Sequence, residues 1–595
     1  MSPILAQTTD DLLSLSDVDE LSESAYLRLL EIEAQQHLSD RHNLILRYDQ
    51  CLNRREGYRY PTASRRQQSK AYLGDPLHET VRYLFKREVR RQSSWQAGLV
   101  LDKDAGERWN YRPPFSDSFS LYAAYECKTG WLRQALVGHY RVKMGSGLLC
   151  NQQFSLGKNL SSSAFFTHVK DLSPHSSAGE DNFMQGAAMR FRLGEQWELV
   201  PFVSVRSIDG TLKSDTLTSW ATDGYHRTQN EKEKRHQAWL LQSGLSAKRM
   251  GEWYAVAAHV FYSHFDKPFY RPIRTYNRNQ FRGHQLLQGS FSYEARWWNF
   301  HGKGETAVDD QGGWATIHAL QFSFLDTWSA VAMYRQYSNR YRQLSASSVS
   351  ESSAMQGERG ETISLEGPIA RYWQLHLSAD FFQFSQAQYG IYQPSEGYEL
   401  TARINYEKSS QHQQSSQNPF SCSFRYRLKA KYKNNTLTKA PLDLTPYYQH
   451  SLYAVLNWNI IPSLSSKTQL HGRIYSAQNT GSTETGWAIS EGIGWNRESF
   501  PLRLHVQGTY FKTDNYDCRV YLSEKNILYG FGLPMLYGEG IRWSVTLTYQ
   551  VGKHLHLEAK YARTTYKNVS SIGSGLQQIS GNHQDNLWIQ LRAKL

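Results

Sequence analysis

From Asn43 to the last residue, apolar and polar side chains take turns along the chain. Trp373, Leu375, Leu377, Ala379 and Phe381 alternate with Gln374, His376, Ser378 and Asp380. Leu287, Gly289, Phe291, Tyr293, Ala295 and Trp297 alternate with Gln288, Ser290, Ser292, Glu294 and Arg296. Ala187, Met189 and Phe191 against Ala188, Arg190 and Arg192, and Leu555, Leu557 and Ala559 against His556, Glu558 and Lys560, repeat the pattern. A period of two belongs to the β-strand, whose successive side chains point to opposite faces. These runs reach about 9–13 residues, where an ordinary strand has about 5–6. About 9–11 residues is what each strand of a bilayer-spanning barrel requires. Pro419–Lys433 is the sharpest case. Phe420, Cys422, Phe424, Tyr426, Leu428, Ala430 and Tyr432 form one face, and Ser421, Ser423, Arg425, Arg427, Lys429 and Lys431 form the other. Such a strand needs hydrocarbon on one side and water on the other.

The connections have a rhythm of their own. Short turns alternate with long polar loops, and a tryptophan recurs beside the short turn: RQSSW (Trp95), KTGW (Trp131), LGEQW (Trp197), RMGEW (Trp253), WWNF (Trp298), FLDTW (Trp328) and IARYW (Trp373). An indole has an apolar ring and a polar N–H, and so favours the membrane–water boundary. These seven residues are the expected interface girdle. Each short turn makes one hairpin, and about 11 hairpins with one strand before and one after give about 24 strands, in a range of about 22–26, with both termini on the short-turn side. A propeller or β-helix would show short strands or a fixed repeat length instead. The expected fold is all-β: a single large antiparallel transmembrane β-barrel preceded by a short N-terminal helical segment.

That helical segment covers residues 1–42. It carries Asp10, Asp11, Asp17, Asp19, Glu20, Glu23, Glu31 and Glu33, with Leu27, Leu30 and Ala34 at helical spacing. Ile4-Leu5-Ala6-Gln7 reads as the tail of a secretory signal, a remnant within residues 1–7. The barrel takes residues 43–595. Within it the stretch 144–182 is too long for a simple connection and is expected to act either as a plug or constriction in the lumen or as an external lid. No run of roughly 18 apolar residues is present, so no transmembrane helix is expected. The net charge of +13 allows nucleic acid or an anionic surface as partner, or simply reflects charged strand faces in contact with water. The five cysteines lie far apart and are odd in number, which excludes a C-x-x-C motif and argues against a disulfide framework.

The segments ILRYDQ (Ile45–Gln50), YLGDP (Tyr72–Pro76), LDKDAGE (Leu101–Glu107) and GHYRVKMGSGLLCNQQFSLGK (Gly138–Lys158) together resemble a family of outer-membrane barrel proteins from Bacteroidetes-type bacteria, catalogued as helix-hairpin-helix domain-containing proteins. The most specific part is G-x-Y-R-x-x-x-G-x-G-L, here Gly138, Tyr140, Arg141, Gly145, Gly147 and Leu148. The resemblance spans nearly the whole chain, with its motifs concentrated before Leu160. It implies a barrel in the outer membrane of a Gram-negative bacterium and no particular substrate. Two features depart from the family. EIEAQQHLSDRHNLIL leaves no room for the helix-hairpin-helix between the acidic helix and the first strand, so DNA binding is not carried over. The chain also ends on Leu595, where such barrels commonly end on an aromatic.

Arg425, Arg427, Lys429 and Lys431, with Arg190 and Arg192, are expected to face the bore and bias it positive, which favours anions along a continuous water path and equally suits docking of an acidic plug, the chain's own acidic N-terminus included. Asp102, Asp104 and Glu107 are expected to face Arg141 and Lys143 of a nearby hairpin, either as a selectivity zone or as plain charge neutralisation within a polar wall. There is no G-x-S-x-G, no H-E-x-x-H and no P-loop, so no enzyme, cofactor or metal site is expected. The reading that follows is a porin-like channel for small hydrophilic solutes, anions among them, passive or gated. The alternative is a plugged barrel serving as platform or partner in envelope transport or assembly, and a lower one is a conduit linked to DNA uptake. The expected partners are outer-membrane lipid, small solutes and, in the alternative, an envelope protein; nucleic acid is not expected.

Overall fold

Each alternating run forms one strand. The computed structural model describes residues 42–59, 71–89, 92–109, 118–153, 162–167, 169–325, 327–408, 420–435, 443–477, 481, 483–497, 499–530 and 532–594. The acidic N-terminal segment lies outside the described residues.

The strands that build the wall are β1 (His42–Cys51), β2 (Leu77–Val89), β3 (Ser93–Lys103), β4 (Ser118–Cys127), β5 (Leu132–Val142), β6 (Met184–Leu193), β7 (Trp197–Lys213) and β8 (Ala238–Met250). They continue as β9 (Tyr254–Phe269), β10 (Gly283–Trp297), β11 (Phe300–Asp309), β12 (Trp314–Phe324), β13 (Trp328–Tyr337), β14 (Glu358–Ala370), β15 (Trp373–Phe384) and β16 (Ser395–Glu407). The last eight are β17 (Phe420–Asn434), β18 (Leu444–Ile461), β19 (Leu464–Ala477), β20 (Thr483–Asn496), β21 (Leu502–Thr513), β22 (Glu539–Val551), β23 (Leu555–Tyr566) and β24 (His583–Lys594). Each pairs antiparallel with its sequence neighbours, and β1 pairs with β24 from Asn43↔Lys594 to Cys51↔Asn586. The result is a closed ring of 24 strands. Closure removes both sheet edges, which hydrocarbon could not satisfy. The short segments Leu172–Pro174 and Thr216–Ala221 pair with β5 and β7 without joining the ring.

The wall is inverted relative to a water-soluble protein. On β17, Phe424 and Tyr426 are 48% and 42% exposed, while Arg425 and Arg427 keep only 7% and 3%. The same phase runs round the ring. Val203, Val260, Phe291, Leu320, Ile363, Leu400, Ile489 and Ile541 lie exposed on the outside, while Ser204, His259, Gln288, Thr362, Thr401, Ser490 and Arg542 are buried on the inside. Each large apolar side chain left in water would forgo about 1.5–3 kcal/mol of burial. Dozens of them on one continuous surface fit an apolar solvent, not an aqueous one.

The tryptophans mark one end of the ring. Trp197, Trp328 and Trp373 are the first residues of β7, β13 and β15, and Trp95 is the third residue of β3. Trp131 and Trp253 immediately precede β5 and β9, and Trp298 sits in the turn from β10 to β11. Trp95, Trp131, Trp197, Trp253 and Trp298 are exposed, and Trp328 and Trp373 are half-buried. Neighbouring rings support them: Trp131 stacks on Phe191 at 5.5 Å, Trp95 meets Tyr125 at 4.8 Å, and Trp373 meets Tyr406 at 5.0 Å. Connections at this end are short except the one between Glu407 and Phe420. The other long connections leave from the opposite end.

Candidate functional site

Among the described residues, three of the long connections turn inward. The first follows β5 and spans residues 143–183. Two glycines of the G-x-G-L motif make its entry. Gly145 takes φ +52° with its Cα against the Glu305 carboxylate, where a Cβ would lie 2.7 Å from the carboxyl carbon. Gly147 takes φ +92°, and a Cβ there would stand 2.4 Å from the Ser347 carbonyl oxygen. Only glycine fits such backbone and such approach. The turn aims its amides at β11: Ser146 N–H and Leu148 N–H donate to Glu305 Oε2 at 2.6 and 3.3 Å, and Ser290 Oγ donates to Oε1 at 2.7 Å. Leu148, Leu149 and Cys150 are fully buried. Tyr140 of the same motif is buried too, and its hydroxyl reaches the carbonyl oxygens of Val203 and Ala187 at 2.7 and 3.1 Å. Farther on, Phe165 receives the Lys303 ammonium on its carbonyl at 2.9 Å, and the Phe166 ring lies 4.6 Å from that of His301. His301 is the second residue of β11, next to the short-turn end. The loop therefore runs deep into the bore.

The second connection, residues 338–357, follows β13 and packs on the first. Tyr341 Oη donates to the Leu148 carbonyl at 2.8 Å, and Asn151 N–H donates to the Ser345 carbonyl at 3.0 Å. Gln242 of β8 donates to Ser345 Oγ at 3.0 Å. On the other side the Glu351 carboxylate meets Lys429 and Lys431 of β17 at 3.0 and 2.7 Å. β8 and β17 are nine strands apart in the ring, so this segment straps the bore. Its base is held by Glu358, which accepts from the amides of Glu351 at 2.9 Å and Ser352 at 3.1 Å. Arg335, fully buried, joins Glu358 at 2.7 Å to Asp380 at 2.7 Å.

The third connection, residues 514–538, follows β21. Glu524 takes Arg542 on both carboxylate oxygens at 2.7 and 2.9 Å and Lys560 on one. Burial alone would push its carboxyl up; Lys560 and Arg542 overcome this and hold it at about 2. Leu528 N–H donates to Glu558 of β23 at 2.9 Å. Tyr529 accepts Arg47 of β1 on its carbonyl at 2.6 Å, and its ring lies 4.0 Å from the guanidinium carbon of Arg82. One device thus recurs three times. A wall glutamate (Glu305, Glu358 or Glu558) accepts backbone amides of an inward loop. Charged acceptors make the stronger hydrogen bonds.

The residues singled out from the sequence fall as follows. Arg425, Arg427, Lys429 and Lys431 stand on the inner face of β17, with Arg403, Lys433, Lys467 and Arg473 on the inner faces of β16, β17 and β19. Cations outnumber Glu399 and Glu407 on this part of the wall. Lys429 pairs with Glu399 at 3.2 Å as well as with Glu351. Arg190, on the inner face of β6, faces Glu198 at 3.6 Å, and Arg192 reaches Met250 Sδ at 3.6 Å. Arg141 is buried at the end of β5. Lys143 sits in the field of Asp171 and Glu305 and lines a cavity of about 70 Å³ with Lys248, Lys303, Glu198 and Glu294.

The acids of LDKDAGE meet other partners than expected. Asp102 accepts from Thr80 Oγ1 at 2.5 Å and lies 3.2 Å from His78 Nε2, so its neighbours are on β2 and not on β5. Glu107 accepts from the His226 amide at 2.7 Å, and Asp104 lies 3.9 Å from His78. Asp102 belongs to β3, and β4 separates it from Arg141 on β5. The pinning glutamates were not singled out from the sequence. The one local signal was a glutamate at an inward position of a strand otherwise rich in small residues, as in GKGETA for Glu305.

No protein-family model matches the sequence, and no curated protein matches it. Among solved structures the chain is similar to the siderophore receptor PirA from Acinetobacter baumannii, at 8% identity over 94% of this chain and 81% of that chain, with a TM-score of 0.44. It is similar to a mutant of the ferric enterobactin receptor PfeA from Pseudomonas aeruginosa, solved in complex with enterobactin, at 8% identity over 93% and 81%, TM-score 0.45. A third is Pseudomonas aeruginosa OpdK with vanillate, at 10% identity over 60% and 93%, TM-score 0.29. What the chain does is read from the bore itself.

Proposed function

We propose that this chain is an outer-membrane β-barrel of a Gram-negative bacterium that passes small hydrophilic solutes, with a preference for anions, through a gated bore. The observation that carries the reading is the inverted ring: apolar side chains outside, a charged and water-compatible wall inside, and cations in excess on β16, β17 and β19. Barrels of this kind keep short turns on the periplasmic side and long loops outside, so the three inward loops enter from the external face. Their packing supports gating over a permanently open pore. The fit to the helix-hairpin-helix-family barrels is part of this proposal and rests on the G-x-Y-R-x-x-x-G-x-G-L motif, whose residues make the first loop's entry.

The test is planar-bilayer recording on the purified protein, with and without the loop from Met144 to Asn182. Conductance that appears or grows on deletion, with reversal potentials favouring anions, is the expected result. A barrel that stays folded and silent after deletion overturns the channel reading. A second reading, a plugged barrel acting as a platform, is favoured by the strap between β8 and β17. It predicts a stable partner crosslinked in native membranes and no conductance in either form.

A further inference from the structure

We propose that the outer end of the bore holds a site for a divalent first-row transition-metal ion, built from His78, Asp102 and Asp104 and oriented by Asp49. Sheet register makes the arrangement. His78 stands directly opposite Asp49 across β1 and β2, and Thr80, two residues on, stands opposite Asp102 across β2 and β3. Positions two apart on a strand share a face, and a diagonal neighbour on the next strand is within reach of a long side chain. All three strands turn these positions inward, so imidazole and carboxylates converge on one spot near the long-loop end.

The distances suit chelation. His78 Nε2 lies 3.2 Å from Asp102 Oδ2 and 3.9 Å from Asp104 Oδ1. One ligand atom from each of the three lies within 4.8 Å of the others. Two ligands held about 2.1 Å from a tetrahedral ion are about 3.4 Å apart, so small side-chain rotations suffice. Asp49 Oδ2 takes the other ring nitrogen, Nδ1, at 2.8 Å. That is the outer carboxylate that fixes the tautomer of a ligating histidine and turns its Nε2 lone pair toward the ion. Arg47 Nε, 3.2 Å from Asp49, balances the outer carboxylate. One imidazole with two carboxylates selects zinc, manganese or iron(II) over calcium or magnesium, which take oxygen alone. His78 and Asp104 side chains are 23% and 29% exposed, so water from the bore completes the coordination.

The plain alternative is an imidazolium bridging Asp49 and Asp102. It needs no ion, and it gives Asp104 no essential part. The two are separated by calorimetric titration of Zn²⁺ into the chelator-stripped full chain in detergent, with zinc K-edge absorption on the loaded protein. The proposal expects one Zn²⁺ per chain and an absorption spectrum showing one imidazole. Asp104→Asn is expected to weaken binding at least tenfold, Asp49→Asn by about 10–100-fold, and His78→Ala to abolish it. Asp104→Asn keeps the case decidable if His78→Ala fails to fold, because it preserves the side chain's size and one acceptor oxygen and removes only its charge. Absence of stoichiometric uptake, a spectrum without imidazole, or unchanged affinity in Asp104→Asn overturns it.

Discussion

Glu305→Ala should open the bore. In the intact protein the carboxylate accepts from two backbone amides of the first inward loop, at 2.6 and 3.3 Å, and from the Ser290 hydroxyl at 2.7 Å. The site is fully buried. Removing the carboxylate leaves the Ser146 and Leu148 amides without their acceptor. A buried donor in that state costs about 1–3 kcal/mol, so two cost about 2–6 kcal/mol. The longer of the two bonds places the real figure in the lower half. The loop can escape that cost by leaving the wall, where its amides meet water. At about 1.4 kcal/mol per factor of ten, the balance between docked and undocked loop moves by about 30-fold or more toward undocked. Single-channel recording reads this as more frequent or larger openings. Glu305→Gln keeps one acceptor oxygen and should fall between the two. A folded Glu305→Ala barrel with a record indistinguishable from the unaltered protein would refute the assignment of Glu305 as the pin of this loop.

Glu351→Gln severs the carboxylate's pairs with Lys429 and Lys431, so the permeability ratio of anion to cation, read from reversal potentials in a salt gradient, should rise; Lys431→Glu should lower it. Glu524 has a folded pKa depressed to about 2, so its contribution is present above the ordinary carboxylate range and disappears as pH falls through about 2. Melting curves in detergent should therefore show Glu524→Gln less stable by roughly 3 kcal/mol at neutral pH, with the gap closing between about pH 4.5 and pH 2. Bilayers of lipids brominated near the headgroup should quench Trp131, Trp197 and Trp253 more strongly than lipids brominated at the chain ends, since these indoles are exposed at one rim of the ring.

The alternation in Phe420–Lys433 carried nearly all of the fold, because period two fixes which side chains share a face and a one-residue slip would put Arg425 and Lys429 into hydrocarbon. The strand number followed from the short turns, because each hairpin carries its own local signal. The bore's contents did not follow so far. Length alone marked residues 144–182 as more than a connection. That Glu305 seats the loop could not be seen, since it lies 159 residues from Ser146. The Lys431–Glu351 pair is 80 residues apart and joins a strand to a loop from another hairpin. Asp102 teaches the same lesson at short range. Its inward direction is legible, but its partner depends on register, and register placed His78 of β2 beside it instead of Arg141 of β5. Sequence periodicity tells which solvent a side chain meets, and only strand pairing tells which neighbour.

The most direct measurement is a spin-label scan along β17 from Phe424 to Lys431, one cysteine at a time in a background with the five native thiols replaced, in reconstituted bilayers. Collisions with oxygen, which concentrates in hydrocarbon, should peak at 424, 426 and 428, with low values at 425, 427 and 429. Equal oxygen accessibility at all positions, or peaks at the arginines and lysines, would contradict a wall with lipid outside and water within.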